Sequence, residues 1–368
     1  MQNRVVMLVD FDYFFAQCEE LRNPSLRDKP LVVGVYSGRT EESGAVSTSN
    51  YVARKYMVKS GMPLFLAKRK LEGTDAVFLP VDHEYYEQIS DRIMQILRGY
   101  ATSLEQVSID EAYLDVTKKV QGSFEEARDY AQEMKADVKS QVGISFSVGV
   151  GPNKLVAKIA CDSHKPDGLT IVKPEGAKGF LAPLPADCLL GVGKKTSAKM
   201  DSLGIKTIGD LASFDAQKII EIWGKVLGGY FHNAANAVDN EPVQEQGEAE
   251  SISRIGTLKQ DSHDLTFILQ KTDKLTEDVA KDVAERNLSF KQVSIYVVLT
   301  DLSSRSRSVT LDQPAKDKEI IKINVKELLE KYLNETPLEL RRVGVKVSGF
   351  SRDESSQKQL TSFFKPGA

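Results

Sequence analysis

Cysteine is scarce in this chain, 3 in 368 residues. Cys18, Cys161 and Cys188 show no CxxC spacing, so neither a disulfide framework nor a zinc knuckle organises the fold, and a reducing compartment is expected. The four histidines, His83, His164, His232 and His263, lack metal-ligand spacing and read as incidental. A dominant charge is also missing: the formal net charge is -3, so any nucleic-acid surface must be local. No apolar run approaches membrane-spanning length, and Val5-Val6-Met7-Leu8-Val9 follows a start without a basic leader or cleavage site. Together these absences predict a cytoplasmic protein with no membrane partner. By length, about two to four compact units are expected.

What is present is a pair of periodic blocks. In the first, the pattern predicts strand 5–10, helix 83–101, strands 104–110 and 112–117, helix 123–142 and strand 144–150, the β-α-β-β-α-β order of a split-βαβ sheet. Residues 19–79 interrupt it, with a β-type run Leu31–Tyr36 and helical segments near 48–60 and 63–71. A second block repeats the order without repeating the sequence: strand 251–259, helix 264–288, strands 292–301 and 305–313, helix 316–333 and strand 340–350. Between the blocks, Leu189-Leu190-Gly191-Val192-Gly193-Lys194-Lys195 and then Leu203–Leu211 predict a helix-hairpin-helix. Gly191 and Gly193 let the backbone approach a phosphate, and Lys194 and Lys195 add charge. Residues 234–249 lack apolar periodicity and read as a linker.

The chemistry is concentrated in carboxylates. Asp10 ends an apolar strand, and Asp110-Glu111 interrupts two β-type runs, so the topology brings all three to one sheet edge. Hard oxygen donors gathered there suit two divalent cations, which would neutralise phosphate charge and activate a hydroxyl. Asp12 and Asp115 are expected to bond neighbouring backbone. Next to Asp10, Phe14 reads as core, whereas the spacing leaves Phe15 two readings, a further core residue or a ring that packs on a nucleotide sugar and excludes a 2′-hydroxyl. Thr48, Tyr51 and Arg54 share a helix face and could grip a triphosphate, and Lys158, on a mostly apolar helix, is aimed at a phosphate. In the second block, Arg254, Arg305, Arg307, Arg341 and Arg342 sit on or beside strands, so one sheet face is expected to be basic and to bind DNA. Leu360, Phe363 and Phe364 on a polar tail predict a docking peptide.

These residues carry a resemblance. Val9-Asp10-Phe11-Asp12-Tyr13-Phe14-Phe15, Ser108-Ile109-Asp110-Glu111, the Thr48/Tyr51/Arg54 set and Asn153-Lys154…Ala157-Lys158-Ile159-Ala160 resemble the Y-family, DinB-type lesion-bypass DNA polymerases, most closely the archaeal members. The resemblance implies an α+β chain: a ferredoxin-like palm (1–18 and 80–166), inserted fingers (19–79) and a helical thumb (167–233). A linker (234–249), a βαββαβ little finger (250–350) and a tail (351–368) complete it. It implies two Mg²⁺ on Asp10, Asp110, Glu111 and the Phe11 carbonyl. It also implies nucleotide contacts from Phe14, Phe15, Thr48, Tyr51, Arg54 and Lys158, and small residues, Val35, Ala45 and Ser47, around the nascent base pair. Gln357, Leu360, Phe363 and Phe364 resemble a sliding-clamp peptide.

The expected activity is low-fidelity, template-directed extension of a primer without proofreading, by a monomer using primer-template DNA and deoxynucleoside triphosphates. One rival is a template-restricted nucleotidyl transferase. Another is a non-catalytic DNA-binding scaffold, disfavoured because it has no use for three repelling carboxylates.

Overall fold

A computed structural model describes residues 3–351, except 246 and 248. In chain order the first part runs β1 (Val6–Phe11), α1 (Phe14–Arg22), β2 (Leu31–Tyr36), β3 (Gly44–Ser49), α2 (Tyr51–Arg54), α3 (Leu64–Lys70) and β4 (Val77–Pro80). It continues with α4 (His83–Tyr100), β5 (Ser103–Gln106), β6 (Glu111–Asp115), α5 (Phe124–Val142), β7 (Phe146–Gly151), α6 (Lys154–Ser163) and β8 (Leu169–Ile171). Then come α7 (Ala177–Leu181), α8 (Lys194–Ser202), α9 (Ile208–Ser213) and α10 (Ala216–Ala235). The last block is β9 (Ser251–Ser262), α11 (Leu265–Glu285), β10 (Phe290–Leu299), β11 (Ser304–Ala315), α12 (Lys318–Glu335) and β12 (Leu340–Ser348).

The palm sheet has the order β5-β6-β1-β7-β8, with β1 antiparallel to both neighbours. β1 is covered on both faces. Met7, Val9 and Phe11 join the core under α4 and α5, whereas Val6 and Leu8 pack with Tyr113, Ala157 and Cys161 on the α6 side. Asp82 caps α4 by accepting the Tyr85 N–H, and Ser123 caps α5 by accepting the Glu126 N–H. Buried residues recur at helical spacing in each, for example Ile89, Ile93 and Leu97. Gly149 lets α6 settle onto β7, since a Cβ there would stand 2.0 Å from the Ala157 carbonyl oxygen.

Three details depart from the sequence reading. Residues 48–60 do not form one helix: Gly44–Ser49 is strand, and only Tyr51–Arg54 is helical, capped by Asn50. Helix α1 was not anticipated, because Tyr13 enters it with φ 38° and offers no side-chain cap to announce it. The stretch read as a linker is anchored as far as Gln244: Asp239 accepts the Leu155 N–H, Val243 is buried beside Val6 and Leu8, and Gln244 donates to Glu105.

The helix-hairpin-helix reading corresponds to α8 and α9. Gly191 takes φ +85°, which favours glycine, and Gly193 caps α8, leaving Lys194 and Lys195 exposed in its first turn. By compactness the described residues divide into two units, one running up to Val35 and again from Ala45 to Glu245, the other formed by Tyr36–Gly44 with the described residues from Gly247 onward.

The second sheet has the order β11-β10-β12-β9, all antiparallel, with α11 and α12 on one face. The element order repeats that of the palm, but the strand order does not.

Candidate active site

Asp10 and Glu111 are direct partners in the β1–β6 ladder, and the Phe11 N–H donates to the Asp110 carbonyl at 2.8 Å. Topology thus sets the three acids side by side on the backbone. Asp10 and Glu111 lie on the α6 side of the sheet, where Lys158 Nζ reaches Asp10 Oδ2 at 3.3 Å and Glu111 Oε1 at 3.1 Å. Lys165 Nζ reaches Asp10 Oδ2 at 2.6 Å and Asp162 Oδ1 at 2.9 Å. Asp110 turns to its own hairpin and accepts the Ser108 hydroxyl at 2.6 Å.

These pairings set the local charge balance. Burial pushes the Glu111 carboxyl up, only partly offset by Lys158. Burial works against the ammonium groups of Lys158 and Lys165, yet the surrounding carboxylates, Glu111, Asp10 and Asp162 for Lys158 and Asp10 and Asp162 for Lys165, hold both above the ordinary lysine range.

Beside Asp10 and Asp110 a cleft of about 330 Å³ is lined by Phe14, Phe15, Ser47, Thr48, Tyr51, Arg54 and Lys165. Lys158 lines a different cavity, of about 530 Å³, together with Tyr113, Gly191, Val192 and Tyr230. Lys165 is therefore the residue that sequence reasoning missed. It follows the C-terminus of α6, where no helical pattern marks it, and its place is set by the fold of the 165–168 turn. Asp12 holds that turn: its carboxylate, 1% exposed, accepts the Asp167 N–H at 2.7 Å and the Ser147 hydroxyl at 2.8 Å. Burial raises the Asp12 carboxyl in spite of these bonds.

The other expected residues fall as follows. Phe15 is half-buried, stacks on Tyr86 at 4.5 Å and faces the cleft, while Phe14 is buried in the core and also borders it. The Arg54 guanidinium lies 4.6 Å from the Tyr51 ring centroid, and its Nε donates to the Ser49 carbonyl at 3.0 Å. Thr48 sits at the end of strand β3 and not on the helix of Tyr51 and Arg54. Val35 and Ala45 are exposed on β2 and β3.

A hard divalent cation matches this donor set in chemistry: three carboxylates and the Phe11 carbonyl, with basic groups already compensating the acids. The oxygens are not gathered into a cage, since no group of three His, Cys, Asp or Glu side chains among the described residues stands close enough to hold a metal.

The basic face expected of the second sheet is divided. Directly opposite residues share a face. Arg254 opposes Val345, Arg305 opposes Val297 and Arg307 opposes Ile295, all buried under the helices. Arg254 accordingly pairs with Asp282 of α11, and Arg307 with Glu335 of α12 at 3.0 Å. Arg341 lies at a register shift, 3.7 Å from Asp261. The open face carries Arg342 and Lys346 among hydroxyls, Ser253, Ser294, Ser304, Ser306 and Ser308, around Tyr296 and Gly344. Thus Arg342 stands on the helix-free face, whereas Arg254, Arg305 and Arg307 do not. Gln357, Leu360, Phe363 and Phe364 lie outside the described residues.

Residues 9–162 match the impB/mucB/samB family, and 249–361 match the C-terminal domain of the same family. DNA polymerase IV of Nitrosopumilus maritimus is 42% identical over 365 residues, covering 99% of this chain and 100% of that one. The chain belongs to the Y family of DNA polymerases, of DinB type. DNA polymerase IV of Saccharolobus solfataricus is 38% identical over 94% of this chain and 96% of the relative. A Y-family chimera, Dbh-Dpo4(243-245)-Dbh, superposes with a TM-score of 0.89 at 36% identity, covering 95% of this chain and 100% of the chimera. An insertion ternary complex of Dbh DNA polymerase gives 0.68 at 35% identity, with the same coverage. Membership makes the chain a DNA-directed DNA polymerase with the palm, fingers, thumb and little-finger architecture of that family. Among the described residues no helix is long and apolar enough to cross a membrane.

Proposed function

We propose that this chain extends a primer 3′-hydroxyl on a DNA template, at low fidelity, past lesions and without proofreading. The observation that carries the reading is the cleft at the carboxyl end of β1, lined together by Asp10, Asp110, Phe15, Thr48, Tyr51, Arg54 and Lys165. Phosphoryl transfer demands little covalent chemistry of a protein and much positioning and charge compensation. Arg54 and Lys165 bind and neutralise the triphosphate, Thr48 and Tyr51 donate hydroxyls, and Phe15 packs on the sugar where a 2′-hydroxyl would clash.

Asp10, Asp110, Glu111 and the Phe11 carbonyl would hold two Mg²⁺, which when bound lower the pKa of the primer hydroxyl and offset charge on the phosphates. Lys158 pairs with Asp10 and Glu111, and Lys165 with Asp10, so part of this negative charge is already compensated. Small residues at Val35, Ala45 and Ser47 enclose the nascent base pair loosely, which admits a damaged template base at the expense of discrimination. The hairpin at Gly191–Lys195 and the open face of the second sheet hold the DNA backbone. Residues 357–364 recruit the chain to a sliding clamp.

Magnesium-dependent primer extension on undamaged and lesion-bearing templates, with each nucleotide offered singly, tests the reading. Template-directed incorporation across damage is expected. Insertion of one base whatever the template would replace this reading with a restricted nucleotidyl transferase, and no incorporation would leave a scaffold.

A further inference from the structure

Glu20 is a buried carboxylate that none of the steps above uses. It stands on the inner face of α1, 7% exposed, and its two oxygens meet Tyr13, which lines the cleft, and Asn50, which immediately precedes the cleft residue Tyr51. Oε1 accepts from Asn50 Nδ2 at 2.9 Å, and Oε2 accepts from the Tyr13 hydroxyl at 3.3 Å. Asn50, 1% exposed, is fixed by three further bonds. It donates to the Lys29 carbonyl at 2.8 Å and accepts the Leu31 and Ala53 N–H groups at 3.0 Å each. Because its oxygen is committed to two backbone donors, its amide nitrogen must face Glu20. Asn50 caps α2, so its position sets that of Tyr51 and Arg54. Tyr13 forms the left-handed turn that delivers Phe14 and Phe15, and its ring meets Tyr51 edge-on at 5.2 Å.

We propose that Glu20 is a positioning residue that pins the sugar-facing turn at Tyr13–Phe15 to the triphosphate-facing helix at Asn50–Arg54, holding the two walls of the nucleotide cleft at a fixed spacing. Both partners present hydrogens, so an acceptor-only side chain satisfies both. Burial pushes this carboxyl up, a cost that an exposed carboxylate would avoid. The proposal rests on the polymerase reading, since the spacing matters only if a nucleotide bridges the walls. A pin away from the phosphates can therefore govern how well the nucleotide is held between the two walls.

Single-nucleotide insertion by the full chain, with Mg²⁺, primer-template and paired deoxy- and ribonucleotides, tests it in wild type, Glu20→Ala, Glu20→Gln and Tyr13→Phe. Glu20→Ala is expected to raise the nucleotide KM about tenfold and to lower sugar discrimination by a similar factor, with kcat and primer-template affinity within about twofold. Glu20→Gln keeps the acceptor for Asn50 and recovers most of the loss, while Tyr13→Phe, which removes only the weaker bond, shifts KM about threefold. A Glu20→Ala enzyme with wild-type KM and sugar ratio overturns the proposal, as does a Gln variant no better than the Ala variant. If Glu20→Ala fails to fold, unchanged constants in Tyr13→Phe overturn it. Absence of insertion by the wild type refutes the polymerase reading instead.

Discussion

In the palm sheet the first strand lies in the middle, between β6 and β7, whereas in the second sheet the corresponding strand, β9, lies at an edge beside β12. The element order is the same in both, and the consequence is not. A central β1 brings Asp10 against Glu111 on the next strand, and α6 closes over that face with Lys158. An edge β9 has no such neighbour on its outer side, and the middle of the second sheet is formed by β10 and β12, which present Ser294, Tyr296, Gly344 and Lys346. One sheet is arranged to concentrate carboxylates, the other to offer a hydroxyl-lined surface with sparse positive charge. Local sequence makes strands, but the neighbour each strand acquires decides whether distant residues form a site.

The largest break in this contrast comes from the acids. Asp110→Ala or Glu111→Ala should lower primer extension by about a thousandfold or more, a loss of several kcal/mol of transition-state stabilisation. Primer-template binding measured by anisotropy should stay near wild type. Retained extension would remove the metal role from these carboxylates.

Next in size is the contrast between the two lysines at the palm acids. Lys165 lines the cleft beside Asp10 and Asp110, whereas Lys158 lines the neighbouring cavity, although both pair with Asp10. Lys165→Ala should raise the nucleotide KM by about ten- to a hundredfold, the worth of a charge-assisted contact to phosphate. Lys158→Ala should leave that KM much closer to wild type. The reverse order would return the triphosphate contact to Lys158.

What is legible in the sequence follows the same division. The acids were readable because Asp10 and Ser108-Ile109-Asp110-Glu111 interrupt apolar runs, and a split-βαβ order predicts their meeting. Helix α6 was readable by its apolar face, but Lys165 lies in the following turn, where placement depends on Asp12 and Asp167. The strand order of the second sheet was not readable, because periodicity fixes which residues share a face and is silent on which strands adjoin. Counting arginines on strands also ignored parity: Arg305 and Arg307 are two apart, so they share a face, and it is the helix-covered one.

Parity gives the third test, on the second sheet alone. Arg342→Ala and Lys346→Ala on the open face should each weaken primer-template binding a few-fold and lower the salt slope of log K by about one. An unchanged slope in both would exclude the open face from backbone contact.

The smallest effect sharpens the comparison most, because it separates charge from placement within one sheet. Arg254→Ala and Arg307→Ala remove as much positive charge as the open-face substitutions, but from side chains engaged by Asp282 and Glu335 on the helices. Both pairs are substantially solvated, with arginine side chains 44% and 47% exposed, so each loss should cost no more than about 1 kcal/mol in chemical denaturation. Neither should alter the salt slope of DNA binding. If these two variants weakened binding as much as Arg342→Ala, total charge and not the face would govern the second sheet, and its hydroxyl-lined surface would lose its assignment.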